Sequence, residues 1–173
     1  MNRYTKLLER LATIFNEGYV PAVLRTMDDE KDLPMDILTV ALEDYSPKGN
    51  EWLAEIAFLP LSNGAEDTSY ISIAITMTDE MGAYASNTVA WFISRMNHYI
   101  PYGAFSVNEE GNVLAYKLCV PVLDKGDDEM LFDALNLNAS HALEFVDNFG
   151  GLIEAVMEED ITPREAMDQF LGR

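Results

Sequence analysis

Between residues 101 and 122 the chain alternates large apolar positions with small or polar ones on both sides of a turn. Phe105 and Val107 alternate with Ala104 and Ser106, then Leu114, Tyr116, Leu118 and Val120 with Val113, Ala115, Lys117 and Cys119. A repeat of two marks strands that bury one face, so the stretch predicts a β-hairpin. Asn108-Glu109-Glu110-Gly111 supplies the turn, with Gly111 able to take positive φ. Pro121 has no N–H to donate and is expected to end the pairing.

The same reading extends to the rest of the chain. Leu7, Leu8, Leu11, Ile14 and Phe15 share one stripe at helical spacing, which predicts an amphipathic helix over 3–16 stopped by Gly18. Pro21, Pro34 and the Asp28-Asp29-Glu30 cluster make 19–35 an irregular, solvated connection, in which 19–27 could add a helical turn. Strands are expected over 36–43, over 52–59 with Pro60 closing it, and over 70–78, where Ile71, Ile73, Ile75 and Met77 alternate cleanly. Polar loops are expected at 46–50 and 62–67.

From Ser86 or Asn87, either a good N-cap, the spacing of Val89, Phe92, Ile93, Met96 and Tyr99 becomes helical. After a loop at 124–128, a further helix is expected from about residue 129, best patterned at Leu143, Val146, Phe149, Ile153 and Val156. Gly150 and Gly151 interrupt that pattern, which points to a kink or a close backbone contact. Thr162-Pro163-Arg164-Glu165 has capping-box spacing with proline at the first helical position, so a short last helix begins there. The predicted order is α-β-β-β-α-β-β-α with a short terminal α: an α+β fold in which helices cover one face of a five-stranded antiparallel sheet, as a single domain over 1–173.

Composition narrows the function classes. With 49% hydrophobic residues, 173 residues suffice for one sizeable core. Thirty acidic against eleven basic residues give a net charge of −19, which repels nucleic-acid backbones and anionic membranes and argues against both as partners. A single cysteine fits a reducing compartment, and the first fifteen residues lack the apolar run of a signal peptide, so a cytoplasmic protein is expected.

Asn97 ahead of Gly103-Ala104-Phe105-Ser106-Val107, the turn glycine Gly111, the apolar strand 114–120 ending at Pro121, and a helix carrying Phe145 and Phe149 together resemble the YbjN-like proteins and the type III secretion chaperones. The resemblance implies their shared α+β fold. For the secretion chaperones it implies a small acidic homodimer that binds an unfolded stretch of a partner protein, and for the YbjN-like proteins a regulatory role. The longer segment at 18–34 and the additional C-terminal helix depart from the typical chaperone.

Chemical candidates are sparse. Neither His98 nor His141 has a second histidine or cysteine at metal-ligand or dyad spacing, and His98 marks a helix end. Cys119 reads as a half-buried packing residue. Asp124, Asp127, Asp128 and Glu129 lack the ligand order of a calcium loop and read as a solvated acidic loop. Asn138-Ala139-Ser140 matches a glycosylation acceptor that a cytoplasmic chain would not use. Phosphate-binding glycine loops and a nucleophile elbow are missing too. The expectation is a non-enzymatic protein with no catalytic residues, no metal and no cofactor, a carboxylate-dependent hydrolase being the disfavoured alternative.

The sheet offers more. If Leu38, Val40, Leu42, Trp52, Ala54, Ile56, Phe58, Ile71, Ile73, Ile75, Leu114, Tyr116 and Leu118 face the helices, the other face carries Ile37, Ala41, Leu53, Ala57, Leu59, Ala74, Val113, Ala115 and Cys119. That face is apolar enough to mark an interaction surface, unless the helix over 86–99 covers it. Trp91 lies outside that helix's apolar stripe. A tryptophan so placed is left partly wet or buried against another chain, which predicts a homodimer with Trp91 in or beside the seam. The expected function is a chaperone-like, protein-binding homodimer that holds a segment of an unidentified partner protein, with a YbjN-type regulator as the alternative.

Overall fold

The structure, a computed structural model, describes residues 2–60, 68–78, 81, 83–108 and 112–173. The elements are α1 (Arg3–Glu17), β1 (Ala22–Arg25), β2 (Ile37–Leu42), β3 (Trp52–Pro60), β4 (Thr68–Thr78), α2 (Ala83–Met96), β5 (Ala104–Asn108), β6 (Val113–Leu123), α3 (Asp128–Met157) and α4 (Pro163–Phe170). The fold is α+β, with an open antiparallel sheet of six strands in the order β1-β2-β3-β4-β6-β5. The α2 crossover puts β6 beside β4 and leaves β5 at the edge.

The sixth strand corrects the expected five. β1 arises within the stretch read as irregular, with Ala22 opposite Val40 and Arg25 opposite Ile37. Four residues between Pro21 and an acidic cluster are too few to display an alternation, so pairing with β2 rather than local pattern makes this a strand. Asn16 at the end of α1 holds its start, accepting from Ala22 N at 3.1 Å and donating to Ala22 O at 2.9 Å. Gly18 is the C-cap as expected, but the left-handed residue after the helix is Tyr19, with φ 61°.

Three further expectations are corrected. α2 begins at Ala83 rather than at Ser86 or Asn87; Ser86 lies inside the helix with its hydroxyl buried. β6 continues through Pro121 to Leu123. β5 reaches only from Val113 to Lys117 along β6, so Pro121 has no β5 residue opposite it to miss a donor. Cys119 is exposed rather than half-buried, because it falls among the outward positions of β6. The polar loop at 62–67 and the turn residues Glu109, Glu110 and Gly111 lie outside the described residues; beside them Asn112 has φ 50°.

The chain packs as two compact units of interleaved segments. One comprises Met1–Leu42, Leu53–Ala74 and Leu118–Ala142. In it α1 buries Leu7, Leu8 and Leu11, and Asn2 caps the helix by accepting from Thr5 N at 2.9 Å. The acidic residues before and within the first turn of α3 are not simply solvated. Arg3 donates to Asp128 at 2.5 Å and to the carbonyls of Asp124 and Gly126, and Arg10 donates to Glu129 at 2.8 Å while lying over the Phe132 ring. Tyr4 donates to Asp124 and stacks on Phe58, and burial followed by the Asp124 bond raises its phenol above the ordinary value.

The second unit comprises Glu43–Trp52, Ile75–Lys117 and Leu143–Arg173. Its core includes Val89, Phe92, Ile93 and Met96, the apolar stripe expected of α2, all buried. The thirteen strand positions assigned to the helix-facing side are likewise buried in their respective units.

Candidate functional site

α2 and α4 pack together in the second unit and bound a cleft of about 730 Å³. Each helix is fixed from below by a different device. Asn97, just past the end of α2, donates to Phe105 O at 2.8 Å and accepts from Phe105 N at 3.0 Å, pairing like one more strand residue against β5. α4 starts in the predicted capping box: Thr162 Oγ1 accepts from Glu165 N at 3.2 Å, and Glu165 accepts from Thr162 N at 2.8 Å. The Thr162 N–H, followed by the Thr162 hydroxyl, donates to the Glu165 carboxyl and holds it below its ordinary pKa. At its other end Phe170 packs on Phe149 of α3 with ring centres 5.1 Å apart, and on Tyr99 at 6.2 Å.

From the α2 side the cleft is lined by Trp91, Arg95, His98 and Tyr99. From the α4 side come Arg164, Met167, Asp168 and Arg173. Trp91 is 46% exposed, as its position off the apolar stripe predicts, and the Arg95 guanidinium lies 4.2 Å from the ring centre. A guanidinium held over an indole face has fewer rotamers to lose when it meets an anion. His98 follows the end of α2, as expected, and lines the same cleft.

The remaining residues expected at a partner surface are distributed otherwise. Ala57 and Ala115 are buried, Ile37, Ala41, Leu59, Ala74 and Val113 are half-buried, and Leu53 is exposed. Of that set only Trp91 lines the cleft, where its neighbours are charged and aromatic rather than the apolar residues of the sheet. Sequence reasoning missed Arg95, Arg164 and Arg173, the first of which lies far from the other two in the chain. The one local signal was the spacing of Trp91 and Arg95, four apart on one helix.

A second polar cluster was also missed. The Glu154 carboxylate on α3 is 1% exposed and accepts from Ser46 Oγ at 2.9 Å, Asn50 Nδ2 at 2.9 Å and Trp52 Nε1 at 3.1 Å. Ser46 Oγ in turn accepts from the backbone N–H of Lys48 and of Asn50, both at 3.1 Å. Buried at Glu154, Ser46 and Trp52 and open only at Asn50, this cluster serves to fold the 46–50 loop onto α3. Lys48 in that loop pairs with Asp160 and, at 3.5 Å, with Glu158.

Among the described residues no three His, Cys, Asp or Glu side chains are grouped to hold a metal ion, and no helix is long and apolar enough to cross a membrane. No family model matches the chain, and comparison with curated proteins gives no match.

Proposed function

We propose that the protein is a non-enzymatic, chaperone-like binding module of the cytoplasm, which holds a segment of a partner protein in the α2–α4 cleft. The observation that carries this reading is Trp91. It stands 46% exposed at the rim of a concave site, while α2 already buries its full apolar stripe in the unit's own core. The helix therefore has no packing need for a second aromatic there, and tryptophan and arginine are both among the residue types enriched at protein-binding hot spots. The proposed kinship with the YbjN-like and secretion-chaperone fold rests on the α+β class and the order from β2 to α3, to which β1 is an addition.

The test is affinity capture from native lysate with the natural protein and with Trp91→Ala as parallel baits. A recurrent protein held by the first and lost by the second supports the reading. Only background proteins on both baits counts against it.

A second reading places a second copy of the chain on the Trp91 surface, making the homodimer seam there. The same exposed ring favours it, because homodimer interfaces centre on such desolvated anchors.

A further inference from the structure

The chain contains six arginines. Arg3, Arg10 and Arg25 pair with Asp128, Glu129 and Glu30. For the other three, Arg95, Arg164 and Arg173, no carboxylate lies within ion-pair distance among the described residues, and all three line the α2–α4 cleft. In a chain of 30 carboxylates and 11 cations, that grouping leaves one concave site with three uncommitted guanidiniums against one carboxylate, Asp168. Three minus one is a surplus of two positive side-chain charges, on a protein whose net charge is −19.

We propose that the cleft binds a short acidic segment of a partner protein, with carboxylates on either side of one aromatic or large aliphatic residue. This rests on the binding-module reading and adds the chemistry of the segment held. The guanidinium fork matches a carboxylate in bidentate geometry, and Arg95 is already positioned on Trp91. Trp91, Tyr99 and Met167 supply the surface against which an apolar side chain packs.

Charge and size limit the ligand. At physiological salt a field decays over about 8 Å, so the attraction is confined to the cleft and the acidic remainder of the molecule repels anything longer. Nucleic acid would extend beyond the cleft on a molecule of net charge −19, whereas a few residues of peptide fit the volume.

The experiment uses tryptophan emission from the intact protein. Trp52 is fully buried, so Trp91 is the tryptophan that a ligand in the cleft can reach. The probes are a blocked hexapeptide, Glu-Asp-Phe-Asp-Glu-Gly, its amide counterpart Gln-Asn-Phe-Asn-Gln-Gly, and the acidic peptide with Ala for Phe. The acidic peptide is expected to saturate with a Kd on the order of 100 μM, and both altered peptides to bind roughly 10-fold more weakly or worse. Arg95→Gln and Arg164→Gln, at exposed positions, should each weaken the acidic peptide about 5- to 10-fold, and Lys6→Gln should leave it unchanged.

Failure of the acidic peptide to saturate at millimolar concentration, equal binding of the amide peptide, or indifference to both arginine changes overturns the proposal. Should a partner be captured in a Trp91-dependent way while the acidic peptide fails, the binding module stands and its acidic ligand does not. Failure of both removes both. A dimer that Arg164→Gln dissociates, with no peptide bound, would assign the cleft to a second copy and sink the proposal.

Discussion

The indole Nε1 of Trp52 donates to Oε1 of Glu154 at 3.1 Å, and both residues are shut off from solvent. A buried carboxylate is costly unless its oxygens are fully bonded, and here three side-chain donors converge on it while the Ser46 hydroxyl passes the organisation on to two loop amides. Glu154→Ala strands the buried Trp52 and Ser46 donors together, while the exposed Asn50 amide turns to water. The expected loss is about 3 kcal/mol, since each buried unsatisfied donor costs roughly 1–3 kcal/mol and the loop relaxes to rescue some of them. Glu154→Gln keeps an acceptor oxygen and should lose less. Urea midpoints for the two variants check this, and an unshifted midpoint for Glu154→Ala would mean the cluster is not structural.

The glycine one turn earlier on α3 faces the same ring. A Cβ at Gly150 would stand 2.4 Å from Trp52 Cη2 and 3.1 Å from Met77 Cε, so the helix approaches the indole as closely as it does because no side chain intervenes. Gly150→Ala would gain about 1 kcal/mol of helix propensity in isolation. Overpacking a rigid, fully buried ring outweighs that gain, and a net loss of about 2 kcal/mol is expected. Thermal melting decides the sign: a stabilised variant would mean the helix can shift without penalty.

These two contacts show where reading the chain alone succeeds and where it stops. The glycine pair at 150–151 points to either a kink or a close contact, and the structure has the close contact, because glycine within a helix needs a packing reason. The helix nevertheless runs unbroken from Asp128 to Met157, since packing against the ring replaces the lost propensity. Strand faces and the α2 stripe follow from periods of 2 and 3.6, which act over a few residues and are visible locally. Glu154 could not be singled out among thirty acidic residues, because its partners lie about a hundred positions earlier. The cleft arginines were hidden for the same reason. β1 escaped because a four-residue strand owes its form to its neighbour.

Alkaline stability should report on Tyr116. Its ring is buried, stacked 5.8 Å from Phe145, and its hydroxyl donates to Tyr102 O at 2.7 Å. Burial pushes the phenol up to about 12 from an ordinary value of 10.0. A folded-state pKa above the unfolded one disfavours the phenolate in the native protein, so the stability it contributes is complete below pH 10 and is lost as pH rises towards 12. Tyr4 and Tyr45 are shifted the same way, so the assignment requires a difference measurement. Urea midpoints of the natural protein should fall more steeply above about pH 10 than those of Tyr116→Phe. Parallel curves would reject the assignment.

The exposed position of Cys119 has a chemical consequence. As the chain's one thiol, it should react with Ellman's reagent in native buffer to one equivalent per chain, at a rate within about 10-fold of that in denaturant. Reaction only after unfolding would restore the half-buried position expected from the strand pattern.

The Trp91 surface also predicts an oligomeric state. An exposed indole presents roughly 150–250 Å² of apolar and aromatic area when fully free, and about half of this ring is already covered within its own unit. What remains is too little to hold two chains together alone, so a seam here must recruit its surroundings, including the exposed Tyr102 and Tyr99 of the same unit. Anchors of this kind lose on the order of 2 kcal/mol or more on truncation, equivalent to about a 30-fold weaker association. On the second reading, light scattering coupled to size exclusion gives twice 19.4 kDa for the natural chain and a mass falling towards 19.4 kDa for Trp91→Ala at micromolar concentration. A natural chain that stays at 19.4 kDa across the accessible range rejects the seam and leaves the surface to a partner segment. A variant that remains dimeric moves the seam away from α2.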